Sequence, residues 1–301
     1  AMGAAQPGRW ALAAAAVLLA VQLVLPLRPL LASGLDPLDA VHTKSHTLFS
    51  WRFMAVSTRN FVNATLRSER MGASLLMTRT YNKLALVHRT NGSRLPLPLG
   101  QRLEPRQAGY MAYTAPMLVQ FARHAAARHP GYAVHGELWS AINGRPLQRF
   151  AAPGTDLATA ELPAWRRPAW VLPLLSEYGA RAWRLRMRWL RRRLGGLDVA
   201  FFADARGGSF DETFPAVGRF PARALLVPLD GRIRAHTPHG VRELEPPVWA
   251  EDARGEPEMR PRAAPVPIPF GAPHRVSNVG DGTACWAYIF GTEQEPGDGE
   301  R

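Results

Sequence analysis

Between Arg9 and Arg28 the chain runs for eighteen residues, Trp10 to Leu27, without a single charge. A stretch of that length comes close to the ~20 apolar residues that span the hydrocarbon of a bilayer, so it dictates either a membrane helix or a secretory leader. One basic residue, an apolar middle and the small residues Ala32-Ser33-Gly34 suit a leader, and composition leaves the two readings even. Pro26 and Pro29 set the end of any helix here, because proline removes a backbone donor and disfavours helix in the residue before it.

The remaining chain is long enough for one large or two ordinary domains. With 47% hydrophobic residues and nine tryptophans, most of its 301 residues should fold. Cys285 is the only cysteine, which excludes an internal disulfide and a cysteine-based zinc site within this chain. The net charge is +13, carried almost wholly by arginine, since Lys44 and Lys83 are the only lysines. Such a surface attracts nucleic acid, anionic lipid or acidic peptide. No RRM, KH, zinc-finger or helix-turn-helix pattern is present, so nucleic acid is not expected as a partner.

Several local elements follow from spacing. Leu48, Trp51 and Val56 approximate one helical face at a membrane surface. His42 and His46 are four apart but lack a third ligand, which favours surface polarity over metal. Asn63-Ala64-Thr65 and Asn91-Gly92-Ser93 are glycosylation sequons, with meaning only in a secretory lumen. Thr114 and Pro116 open a helix in which Met117, Phe121 and His124 share a face, ending at His129-Pro130-Gly131. Tyr132 to Ile142 reads as a strand, returning through an Asn143-Gly144 hairpin turn to Arg145–Phe150. Leu174 to Leu194 is a basic helix with Trp183, Met187, Leu190 and Leu194 at helical spacing, stopped by Gly195-Gly196. That stripe either packs on a core, lies on anionic lipid or cradles an acidic peptide. Val199-Ala200-Phe201-Phe202 reads as a buried strand, and residues 224–290 have the rhythm of a β-sandwich or jelly roll. Residues 250–267, rich in proline and charge, read as a long exposed loop, and the tail after Thr292 as disordered.

The order of landmarks adds a resemblance. Phe49-Ser50-Trp51-Arg52-Phe53-Met54, then Glu137-Leu138-Trp139 through Arg145 with Gln148-Arg149, then Asp156-Leu157, then Trp170-Val171-Leu172-Pro173-Leu174-Leu175 resemble the C-terminal part of the vitamin K-dependent gamma-glutamyl carboxylases. The similarity covers roughly residues 17 to 291. The longer, animal-type C-terminus is matched by residues 197–204 and by Ile268–Ile289, whereas Ala55-Val56 and Gly154 depart from the pattern.

The resemblance implies that Trp10–Leu27 is the last helix of a membrane bundle and that the catalytic lysine lies upstream, so that neither Lys44 nor Lys83 is the base. It implies peptidyl-glutamate carboxylation coupled to oxidation of vitamin K hydroquinone, with O2 and CO2 as co-substrates and no metal. The partners implied are an acidic glutamate-containing protein or propeptide and membrane lipid. The location implied is an integral membrane glycoprotein, in the endoplasmic reticulum with this region lumenal if eukaryotic, otherwise in the plasma membrane. Substrate contacts are expected from Ser50, Trp51, Arg52, Met54, Arg145, Trp170 and Arg184; Arg52 or Arg145 would fork onto a carboxylate. By itself this chain is expected to carboxylate nothing.

One pattern points elsewhere. Pro269-x-Gly271-x-x-His274-x-x-x-Asn278 has the spacing of the second cupin motif, whereas the first motif is matched only loosely by His236, His239, Glu243 and Glu245. A metal-dependent cupin oxygenase and a non-catalytic membrane-anchored peptide-binding module therefore stand as alternatives. The expected fold is α+β with a C-terminal all-β sandwich or cupin-like jelly roll after one N-terminal transmembrane helix. The expected division is 1–31 membrane helix, 32–197 α+β substrate-binding region, 198–291 β-sandwich and 292–301 tail.

Overall fold

The computed structural model describes residues 9–32, 83–97, 114–141, 145–163, 166–179, 181–194, 197–214, 223–252 and 256–291. Arg9–Ala32 is a 24-residue helix, α1. Its described side chains, which include Trp10, Leu12, Val17, Leu19 and Val24, are exposed. Among the described residues no helix is long and apolar enough to cross a membrane; the helix is observed, and its spanning of a bilayer remains an expectation.

The first packed unit is a three-stranded antiparallel sheet of β1 (Lys83–His88), β2 (Arg94–Pro96) and β3 (Tyr132–Glu137), in the order β2-β1-β3. Helix α2 (Ala115–Arg128) covers it. Thr114 precedes the helix in extended conformation and Pro116 occupies its first turn, as the sequence requires. The buried side, however, is Leu118, Val119, Ala122 and Ala125, while Met117 and His124 are exposed. Of Met117, Phe121 and His124, only Phe121 reaches the core, at its margin. Two alanines let the helix approach Leu84, Leu86 and Val134 closely, a contact that a search for large apolar residues passes over.

The sandwich has two layers. One sheet has four strands in the order β10-β9-β14-β7, formed by β7 (Ser209–Thr213), β9 (Ile233–Thr237), β10 (Gly240–Leu244) and β14 (Pro273–Asn278). The other has six, in the order β13-β8-β15-β6-β5-β4: β4 (Trp139–Ser140), β5 (Leu147–Arg149), β6 (Asp198–Asp204), β8 (Arg223–Asp230), β13 (Val266–Pro269) and β15 (Ala284–Gly291). Two strands from before residue 198 therefore complete a sheet whose other strands follow it, and β5 pairs in parallel with β6.

Side-chain alternation along β6 and β15 explains why this sheet is covered on both faces. Ala200, Phe202, Trp286, Tyr288 and Phe290 point into the sandwich interior. Phe201, Ala203, Cys285, Ala287 and Ile289 point the other way. That outer face is covered by α3 (Arg181–Arg193) through Trp183, Met187 and Leu190, preceded by a 3-10 turn at Ser176–Gly179. The apolar stripe of the basic helix is therefore a core stripe. The order sheet, sheet, helix gives the unit three layers.

Two local expectations change. Residues 250–267 do not form one long loop: β11 (Val248–Glu251) and β12 (Pro257–Arg260) make a two-stranded ribbon, and β13 follows. Prolines sit comfortably in such short and edge strands, where a missing N–H donor costs little. Tyr132–Ile142 is also not one strand, because it breaks at Leu138 between two sheets. In the β4–β5 hairpin Trp139 pairs with Arg149 and Ser140 with Gln148. This is one residue out of step with a two-residue Asn143-Gly144 turn, which would pair residues 142 and 145. The turn itself lies outside the described residues, as do the 292–301 tail, Gly195-Gly196, His42, His46 and Asn63.

Candidate functional site

The structure brings two of the expected site residues to one seam. Beyond β5 the backbone continues alongside residues 170–172: the Ala152 N–H donates to Trp170 O (2.7 Å) and the Leu172 N–H to Phe150 O (2.9 Å), with an antiparallel bridge between Ala151 and Val171. Buried Gln148 clamps the next residues, donating from Nε2 to Pro173 O (3.2 Å) and accepting the Leu175 N–H at Oε1 (2.9 Å). Arg145 donates from Nη1 to Leu175 O (3.3 Å). Its guanidinium lies so close to Gly179 that a side chain there would overlap it. Arg145 and Leu172–Leu175 thus form one surface strip, with Pro173 exposed and Leu172 and Leu174 half-buried.

Arg145 does not pair with Asp156. That carboxylate is taken by Arg89 and by the N–H groups of Val134 (3.1 Å) and Ala158 (3.1 Å). These contacts outweigh the effect of burial and hold its carboxyl below the usual carboxylate range. Trp170 is buried, its ring edge-on to Phe150 and its indole N–H donated to Glu161 O (3.0 Å). Arg184 is exposed on α3. Ser50, Trp51, Arg52 and Met54 lie outside the described residues.

A second feature was not visible in the sequence. An open groove of about 720 Å3 is lined by Lys83, Asp211, Glu212, His236, His274 and Arg275 among others. Lys83 bonds Glu212 Oε1 (2.9 Å), and Arg275 pairs with Asp211. Glu212 has a side chain only 2% exposed, and its Oε2 finds no partner. Burial raises its carboxyl pKa, with Lys83 opposing. The charges in this wall compensate one another, so the groove has no cationic surplus to hold an acidic peptide.

The cupin metal reading fails on strand parity. His274 points into the sandwich, while His236, opposite Arg275 across β9 and β14, lies on the other face from buried Ala235. Two side chains on opposite faces of one sheet cannot close on one ion. The interior that would hold a metal is instead filled by Phe202, Phe210, Phe214, Trp286 and Tyr288. Among the described residues no group of three or more potential ligands is gathered. Asn278 serves as a bracket, donating from Nδ2 to Asp204 O (3.1 Å) and Gly282 O (2.8 Å). Glu243 pairs with Arg234 at the surface. Cys285 is fully buried and its thiol pKa is pushed up by burial, which makes it inert as a nucleophile.

His274 gives a pH signature. Nε2 lies 2.9 Å from Tyr288 Oη, and burial lowers its pKa to about 4, the backbone of Ala272 offsetting this only in part. Between pH ~6.5 and ~4 the unfolded ring takes a proton that the folded ring refuses, so this residue's contribution to stability is lost as pH falls. The raised carboxyls of Asp204, Glu212 and Asp230 work in the opposite sense. Comparison with His274→Phe isolates the ring. Urea titrations should show wild type losing about 2 kcal/mol relative to the variant from pH 7 to 4.5, and a constant difference would mean that the ring titrates normally.

Residues 74–177 match the family model described as the vitamin K-dependent gamma-carboxylase, lumenal domain. About a third of the chain is therefore similar to a gamma-carboxylase lumenal domain. The matched span runs from before β1, through α2 and the β4–β5 hairpin, to the strip that holds Arg145. Solved structures similar to the chain include cupins. A cupin domain of an XRE family transcriptional regulator from Enterobacter cloacae is 15% identical over 31% of this chain and 79% of that one, with a TM-score of 0.23. A cupin domain from Bordetella pertussis is 19% identical over 31% and 78%, TM-score 0.20. The Cnp3 cupin domain of Schizosaccharomyces pombe is 10% identical over 33% and 58%, TM-score 0.22. These likenesses are slight, and the gamma-carboxylase-like chain's sandwich stands on its own strand pairing.

Proposed function

We propose that this chain is the C-terminal, lumenal portion of a gamma-glutamyl carboxylase-like membrane enzyme, and that it binds a glutamate-containing polypeptide and presents it to a catalytic centre built by membrane helices upstream. The observation that carries the reading is the family match over residues 74–177, which ends on the strip joining Arg145 to Trp170–Leu175. The reaction, carboxylation of peptidyl glutamate coupled to oxidation of vitamin K hydroquinone by O2, has to remove a very weakly acidic proton beside a carboxylate. That demands a strong base shielded from water, which the exposed strip does not offer.

The contribution of this part is positioning. Remote peptide contacts supply binding energy that orients the reacting glutamate. Arg145 or Arg52 forks onto a carboxylate of the peptide and Trp51 walls the side chain, with Ser50 and Met54 as further substrate contacts. Trp170 acts from behind, fixing the backbone of the strip. Arg184 stands apart on α3.

Fluorescence anisotropy with a labelled glutamate-rich peptide tests the reading. Arg145→Gln is expected to weaken binding about 10-fold, the worth of one charge-assisted hydrogen bond, while the lost bond to Leu175 O lowers stability by no more than about 1 kcal/mol. The chain alone should incorporate no CO2 into the peptide, and CO2 incorporation should appear when the upstream helices are co-expressed. Peptide binding that is absent, or indifferent to both Arg145→Gln and Arg52→Gln, would sink the reading.

A further inference from the structure

Helix α3 has seven arginines and no acidic residue in its thirteen positions. Its inner side is committed to the sheet through Trp183, Met187 and Leu190. Several arginines are also committed: Arg186 lies over the rings of Trp183 and Trp249, Arg193 over Trp189, and Arg192 pairs with Glu256. Arg181, Arg184 and Arg188 are exposed on the side away from the core and make no ion pair among the described residues. At 1.5 Å per residue they form a row about 10 Å long. Leu185 stands among them, 36% exposed.

We infer that this outer face of α3 docks on an anionic lipid surface. A row of guanidiniums by itself suits any polyanion, and two further features choose among them. Leu185 gives an acidic peptide nothing to bind, whereas the boundary between headgroups and acyl chains takes an apolar side chain and its flanking cations together. Among the described residues the helix is the outer layer over the six-stranded sheet, with the β11–β12 ribbon packed beside it, and its arginine row stands as an exposed ridge. A peptide is held in a groove or along a strand edge, whereas a ridge meets a flat membrane along its whole length. The helix is backed by a packed sheet, so docking orders no new segment. This inference rests on the proposed function only in placing a bilayer within reach of α3.

The test uses the full chain in nanodiscs of phosphatidylcholine alone or mixed with phosphatidylglycerol. An environment-sensitive fluorophore is attached to Leu185→Cys; Cys285 is fully buried, and wild type treated with the same dye serves as the control for its reaction. Blue-shifted emission, quenched by spin-labelled lipid, is expected only in the phosphatidylglycerol discs. The combined change Arg181→Gln, Arg184→Gln, Arg188→Gln should weaken docking roughly 100-fold, and added salt should weaken it progressively. A chain that enters both discs with identical emission overturns the docking alone. An equal shift produced by soluble polyglutamate without lipid also overturns it and assigns the face to an acidic polypeptide. A chain that enters neither disc overturns the membrane placement and, with it, the docking.

Discussion

Replacing Arg149 with methionine is expected to cost the fold about 3–5 kcal/mol, because it leaves a buried carboxylate without its counter-charge. Arg149 and Asp204 are both almost fully enclosed, with Nη2 and Nε at 3.3 and 3.4 Å from Asp204 Oδ2. The same guanidinium donates to the Ser209 carbonyl and lies 4.8 Å from the centre of the Trp139 ring. It therefore ties together β4, β6 and β7, which belong to both sheets of the sandwich. Even with Arg149 present, burial raises the Asp204 carboxyl pKa; without it the rise must be larger. A carboxyl raised in the folded state binds more protons there than in the unfolded chain, so stability falls as pH climbs from ~4 through the raised value. The defect of Arg149→Met should accordingly be greatest near neutral pH and shrink towards pH 5, and adding Asp204→Asn should recover a good part of it. Urea unfolding at both pH values decides. A loss below about 1 kcal/mol, or one that ignores pH, would mean that the pair is not the buried tie described.

Trp286→Ala should be as damaging, at about 3–5 kcal/mol for an aromatic side chain removed from a packed core. Trp286 is wholly buried on β15, stacked on Phe202 at 10° between ring planes and set against Trp139. Its indole N–H has no hydrogen-bond partner, and such a buried donor costs ~1–3 kcal/mol. Trp286→Phe should therefore be far milder than the loss of volume alone suggests, since it removes the orphaned donor along with part of the ring. Denaturation of the two variants in parallel tests this, and equal losses would show that the N–H is solvated.

How much of this was readable from the chain depends on the range of the interaction. The stripe Trp183, Met187, Leu190 is a period-3.6 pattern and locates α3 directly, and the unbroken apolar run Val199-Ala200-Phe201-Phe202 locates β6. The ribbon and β13 were hidden by prolines that local propensity reads as loop. Helix α2 was located, but its buried side was not, because Ala122 and Ala125 pack against the sheet without standing out as large apolar residues. The Lys83–Glu212 and Arg149–Asp204 pairs join residues far apart in the chain, and no spacing rule reaches across such distances. The cupin-like spacing around His274 was real as a pattern, yet the faces of the strands decide whether histidines can meet. The strip joining Arg145 to Leu175 was half legible: its residues stood out individually, while the bonds through Gln148 that assemble them did not.

The position of β15 between β8 and β6 has a bearing on biosynthesis. The segment closest to the C-terminus of the described chain is an inner member of its largest sheet, so β6 and β8 emerge from the ribosome with a vacant slot between them. Until residue 291 clears the exit tunnel, the aromatic interior has no wall on that side. Assembly of the domain is thereby deferred until this strand has been made, and nascent chains stalled short of that point will present two unpaired strand edges to whatever chaperone meets them.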